Sequence, residues 1–314
     1  MNPSSVGIRD IAAYVPAGRI EAAELSTRFS ASPDFLRDKT GCLSLARRAE
    51  GEDTSDLAAA SLERLFDTHP QLRSALKLLV VVTQTPDGRG LPHVSGKLHG
   101  RFELPSDVAA FDISLGCSGW VYGLAVATAL MEANGLDDGV LVTADPYSKI
   151  LEPNDRDTNL LFGDAATATW LTRERPRWRP GKFVLQSHGQ GWKELAVDPG
   201  SGHLRMNGRA VFMFSAKIAP ECIREALRRN ETALEDVDHV LVHQGSKYIV
   251  DTIGERLGVP QKTPFLAAEV GNTVSSSIPL MLASGRFDAD RLLAVAGFGV
   301  GLSCAATILA GNET

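Results

Sequence analysis

Three residues able to do chemistry occupy comparable places in a chain of 314 residues. Cys117, in LGCSGW, stands where the apolar run VAAFDISL meets the helical pattern SGWVYGLAVATALMEANG. A sulfur there faces unpaired backbone N–H groups and the positive end of a helix, which favour thiolate and hold a developing oxyanion. His243 closes the strand-like DHVLVHQ, so its imidazole is expected to emerge at a sheet edge. Asn272, in EVGNTVSSSIP, holds in the second half the place that Cys117 holds in the first, at the start of a helix. Each has a plainer reading when taken alone: a small buried hydrophobe, a hydrogen-bonded structural histidine, a turn or cap. Cys42, Cys222 and Cys304 keep that plainer reading. Brought together, Cys, His and Asn can activate an acyl acceptor and stabilise a thioester carbonyl.

The elements that must position these groups are legible in the hydrophobic pattern. Apolar runs at 76–83, 108–115, 139–145, 239–244 and 291–299 predict strands covered on both faces. Apolar residues recurring at three and four predict helices over 55–69, 118–135 and 210–230. Alternation of this kind predicts an α/β fold with layered sheets. The halves also resemble each other. GCSG leads into a small-residue helix and then NLLFGDAATATWLT, whereas strand-like PFLAAEV precedes GNTVSSSIPLMLASG and then RLLAVAGFGVGLSCAATILAG. A duplicated unit follows, with halves at 1–174 and 175–314, joined near 173–182 by a Pro- and Arg-rich surface connection.

Composition excludes several classes of function. With 32 basic and 38 acidic residues and a formal charge of −6, no basic excess invites nucleic acid. Four widely spaced cysteines without a C-x-x-C pair argue against a metal site and a disulfide framework. No run approaches the roughly 20 apolar residues of a membrane span, and the opening MNPSSVGIRDIAAYVP does not show the charged flank and apolar core of a signal leader. A cytoplasmic, unprocessed protein is expected.

The segments GCSGW, HQGSKYI, GNTVSSSIP, FGDAATATWL and GFGVGLSCAA together resemble the motifs of the β-ketoacyl-acyl carrier protein synthase III family, and the similarity runs along essentially the whole chain. That resemblance implies a thiolase-like fold of two α/β halves in five α-β-α-β-α layers. It implies that Cys117 takes an acyl group, with the Cys117 and Val300 amides as its oxyanion hole. His243 and Asn272 would stabilise the enolate formed as a malonyl-type thioester loses carbon dioxide. The donor would be an acyl-coenzyme A or acyl-carrier thioester, with no metal or redox cofactor. The resemblance also implies a homodimer paired through the strand around VAAFDISL, with Leu91 reaching the acyl chain of the other subunit.

Departures from the family pattern bear on the substrate. Phe35 and Lys39 stand where typical members hold the adenine of coenzyme A with Trp and Arg, while Arg156 is retained. The family's basic residues for carrier docking fall at Met213 and Tyr248, and its H-Q-A-N asparagine is Ser246. Arg205, Arg209, Lys217 and Lys247 supply nearby positive charge, which by default is a solvated surface. A specialised synthase of secondary metabolism is expected over a housekeeping initiator. Two alternatives stay open: an acyltransferase passing the acyl group to an amine or hydroxyl, and an inactive subunit supporting a paralogue. A thiolase is disfavoured because Cys304 lies inside an apolar strand pattern. A hydroxymethylglutaryl synthase is disfavoured because TQTPDGRG at 83–90 offers no convincing candidate for its acidic general base.

Overall fold

The computed structural model describes residues 4–311. Among them, the strand Leu78–Val82 runs parallel to Asp138–Ala144, which pairs antiparallel with Ala166–Thr172. The second half repeats this, with His239–Val242 parallel to Leu292–Gly299 and the latter antiparallel to Ser303–Gly311. The duplication expected from the sequence is thus present in the strand pairing.

Side-chain parity along these strands builds the layers. Leu78, Val80 and Val82 face a central core with Leu241, Leu293 and Val295 and the helices Gly119–Asn134 and Ser277–Leu282. Leu79 and Val81 face the opposite way, against the helices Thr54–Thr68 and Val94–Arg101. On the far side, Val240, Val242, Ala294 and Ala296 pack under the helices Gly208–Arg229 and Lys247–Leu257. Five layers result, helix and sheet alternating, as the family resemblance implies. Because both parities are buried, the strands read as unbroken apolar runs. Small residues let the central helix sit close to the sheet: a Cβ on Gly119 would lie 2.5 Å from Val82 Cγ1, and one on Gly123 2.8 Å from Leu141 Cδ1.

Three expectations about the fold are corrected. The segment 173–182 is not only a surface connection, because Trp178–Pro180 is a strand that pairs with both halves and joins them into one ten-stranded sheet. Trp178 is buried there, its indole driving the segment into the central core despite its arginine neighbours. The second correction is at 264–270, which forms loop and turn instead of a strand. Asn272 reaches its place by a single bridge to Phe162, and the following segment is a 3₁₀ turn, Val274–Ser276, leading into only six helical residues.

The third correction is at 108–115, which is not covered on both faces: the strand Ala109–Ile113 ends the sheet, with a neighbour on one edge only, and stays partly exposed. The acidic side chain of Asp112 turns back to accept the Val94 and Ser95 N–H groups, at 2.7 and 2.9 Å, satisfying the first turn of the neighbouring helix. No helix among the described residues is long and apolar enough to cross a membrane.

Candidate active site

Cys117 sits in the tight turn between the strand Ala109–Ile113 and the helix Gly119–Asn134, buried with 4 % of its surface exposed. The backbone N–H groups of Val300 and of Cys117 itself face its sulfur. Two glycines of the closing loop make that approach feasible. A Cβ on Gly299 would lie 2.7 Å from Cys117 Sγ, and its φ of 148° disfavours any other residue. A Cβ on Gly297 would meet the Cys117 carbonyl oxygen at the same 2.7 Å.

Burial decides the protonation state. It pushes the Cys117 thiol up to about 12, the charge of Asp145 adding to the effect, while the two amides pull the other way and lose. The sequence-based expectation of a thiolate favoured by the helix start is therefore corrected: desolvation of a fully enclosed sulfur outweighs the amides facing it. Asp145 itself is held by the Ser275 hydroxyl and the Gln84 N–H, and burial still raises its carboxyl to about 6.

His243 follows the strand His239–Val242 as expected. Its Nδ1 lies 2.8 Å from Ser277 Oγ, and burial lowers its pKa to about 3, opposed by the Val274 backbone. The ring is neutral across the physiological range. Asn272 is fixed at both ends of its backbone, its N–H donating to Leu161 O at 2.8 Å and its carbonyl accepting from Gly163 N at 2.9 Å. Its Oδ1 accepts the Val274 N–H at 2.9 Å, which leaves the amide NH₂ as its donor end.

Val274 thus ties Asn272 to His243, and it does so with a φ of 53°. A β-branched residue in that left-handed region costs on the order of 1–3 kcal/mol, which the surrounding contacts must offset. Gly163 and Gly271 clamp the two loops together, since a Cβ on Gly163 would lie 1.8 Å from Val270 O. Asp164 completes the clamp, accepting from Arg48 N at 2.9 Å and from the Ser148 hydroxyl.

Cys117, His243 and Asn272 all line one cavity of about 230 Å³, together with Phe35, Lys39 and Ser246. The Phe35 ring carries the Arg156 guanidinium 4.8 Å from its centroid, which places Arg156 beside the mouth without lining the cavity. Lys39 Nζ stands 3.6 Å over the Tyr248 ring, which stacks on Phe212 at 5.0 Å. Ser246 caps the helix Lys247–Leu257 by accepting the Ile249 N–H. Arg209 does not line the cavity and is exposed at the start of the helix Gly208–Arg229, beside the lining residue Gly208. Leu91 lies away from it too, 91 % exposed. Sequence reasoning missed Ser277, Val274 and Asp145. The run of serines after Asn272 and the ADPYSK segment were the only signals, and neither has a distinctive spacing.

Two family profiles match the chain: 3-oxoacyl-[acyl-carrier-protein] synthase III over residues 111–189, and the C-terminal part of the same synthase over residues 227–310. The β-ketoacyl-[acyl-carrier-protein] synthase III of Rhodospirillum rubrum is 34% identical over 288 residues, covering 88% of each chain. That of Staphylococcus saprophyticus is 32% identical over 310 residues, covering 97% of this chain and 98% of its own. The crystal structure of the β-ketoacyl-[acyl-carrier-protein] synthase III of Thermus thermophilus superposes with a TM-score of 0.90 at 32% identity, covering 98% of this chain and all of its own.

Proposed function

Because this chain belongs to the 3-oxoacyl-[acyl-carrier-protein] synthase III family, we propose that it condenses an acyl group held on Cys117 with a malonyl-type thioester. The observation that carries this reading is the single cavity shared by Cys117, His243 and Asn272. In loading, Cys117 Sγ attacks the donor thioester carbonyl, the Val300 and Cys117 amides hold the oxyanion, and the carrier thiol leaves with a proton. The neutral His243 ring, which lines the same cavity, is the base for a thiol that burial keeps protonated. In condensation, the malonyl carboxylate leaves as carbon dioxide, His243 and Asn272 donate to the enolate oxygen, and the enolate carbon takes the acyl group from sulfur. Cys117 is released as a thiolate that takes one proton from solvent, and a β-ketoacyl thioester remains. Wild-type enzyme loaded with acyl group should release carbon dioxide from malonyl thioester. Loading without such release, with transfer to an amine or hydroxyl instead, would favour an acyltransferase of the same fold.

A coenzyme A donor places its nucleotide at the Phe35–Arg156 pair, the aromatic and cationic surface beside the mouth. Arg156→Ala should raise KM for the coenzyme A donor at least several-fold and leave a short thioester lacking the nucleotide unchanged. Equal effects on both donors would place the nucleotide elsewhere. For a carrier protein, the exposed cations near the mouth are Arg205, Arg209 and Lys217, whereas Lys247 is committed to Asp251. The exposed Met213 adds an apolar contact to that rim.

The homodimer is part of the same reading. An unpaired edge at Ala109–Ile113 and a fully exposed Leu91 are liabilities in a monomer and assets in a pair. Sedimentation at micromolar concentration should give twice the chain mass, and a stable monomer would refute the pairing.

A further inference from the structure

The turn that faces Cys117 is short and has little steric guidance of its own. Val300, Gly301 and Leu302 join the antiparallel strands Leu292–Gly299 and Ser303–Gly311, whose last ladder pair is Gly299 with Ser303. Glycines flank Val300 at φ 148° and 132°, dihedrals that glycine enters and leaves at little cost. Val300 itself carries two polar groups with different partners. Its N–H faces the Cys117 sulfur, and its carbonyl oxygen accepts from Ser303 Oγ at 2.9 Å.

Ser303 is only half of that support. Its Oγ lies 2.8 Å from Ser118 Oγ, a residue 185 positions away, and the two serines are buried, 4 % and 1 % exposed. A carbonyl can only accept, so the Ser303 proton goes to Val300 and the Ser118 proton goes to Ser303. Ser118 gives up an ordinary role to do this. It is the N-cap of the helix Gly119–Asn134, where a serine hydroxyl usually accepts an N–H of the first turn, yet it makes no capping bond. One residue after the nucleophile, a hydroxyl is turned away from its own helix towards the other half of the chain.

We propose that Ser118 and Ser303 are positioning residues, a relay of two hydroxyls that ties the helix behind Cys117 to the Val300 turn and keeps the Val300 N–H aimed at the reacting sulfur. Neither serine lines the cavity, so both act through Val300. The consequence for acyl loading rests on the reading of the Val300 amide as an oxyanion donor, whereas the consequence for the thiol does not.

The test uses the full-length enzyme with Ser303→Ala, Ser118→Ala and the double variant. In single-turnover loading the maximal rate of Ser303→Ala should fall about tenfold at an unchanged half-saturating donor concentration, because the amide is still present but no longer held. Ser118→Ala leaves the bond to Val300 in place and should lose less, and it carries the test if Ser303→Ala folds poorly. The double variant should be no slower than Ser303→Ala, since Ser118 acts only through Ser303, and losses that multiply would overturn the relay. A second readout needs no acyl substrate. Alkylation of Cys117 by iodoacetamide, followed at that residue by peptide mass spectrometry, should be several-fold slower in Ser303→Ala between pH 7 and pH 10, because an amide that favours thiolate has been let go. Wild-type alkylation rates in both single variants would overturn the positioning. Slower alkylation with wild-type loading would uphold the positioning and overturn Val300 as an oxyanion donor instead.

Discussion

Cys117→Ala should abolish the covalent acyl-enzyme altogether, while His243→Ala and Asn272→Ala still load acyl group and lose most of their condensation, on the order of a hundredfold or more. The asymmetry follows from where charge develops. On the proposed mechanism, loading places its oxyanion on the Val300 and Cys117 amides that face the sulfur, which neither of the other two substitutions touches. Condensation in that mechanism adds an enolate, whose proposed donors are the imidazole and the free end of the Asn272 amide. His243→Ala should also load more slowly, since it removes the base facing a protonated thiol. The measurement is a pair of assays on each variant: radiolabel retained on protein, and carbon dioxide released from malonyl thioester. If loaded His243→Ala condenses at the wild-type rate, the roles assigned to these residues are wrong.

The second large effect is on pH. With the Cys117 thiol raised to about 12, its thiolate fraction grows tenfold per pH unit through the whole accessible range. Alkylation of the resting enzyme by iodoacetamide should therefore rise about a thousandfold between pH 7 and pH 10 without levelling off. A plateau above pH 8 would mean a thiol of ordinary or lowered pKa, and with it an ion pair to His243 that burial here disfavours. Stability carries the complementary signature. His243 has a folded pKa of about 3 against an ordinary 6.5, so the unfolded chain binds its proton first on acidification. Its neutral burial is fully stabilising above about pH 6.5 and is lost progressively as pH falls towards 3, a span equivalent to about 5 kcal/mol. Cys117 acts at the other end: its raised pKa stabilises the fold fully below pH 9 and less as pH climbs towards 12. Denaturant midpoints measured across pH should fall on both flanks, and His243→Gln should flatten the acid flank.

The sequence by itself determined the strand frame, because a strand buried on both faces has no polar parity, and runs such as 76–83 and 291–299 read that way. It also determined the three reactive residue types and the duplicated halves that bring them together, since Cys117, His243 and Asn272 meet at one cavity. The family motifs carried the layer order for the same reason. Tertiary structure decided what depends on partners distant in the chain. Trp178 looks like part of a charged linker until Ile8 on one side and Gly311 on the other give it a strand to join. Asn272 needs no strand before it, because Leu161 and Gly163 hold its backbone from more than a hundred residues away. The protonation states lay furthest from the sequence. A helix start beside Cys117 is local and favours charge, whereas the enclosure of the sulfur and of the His243 ring is the sum of every layer packed around them, and it opposes charge more strongly.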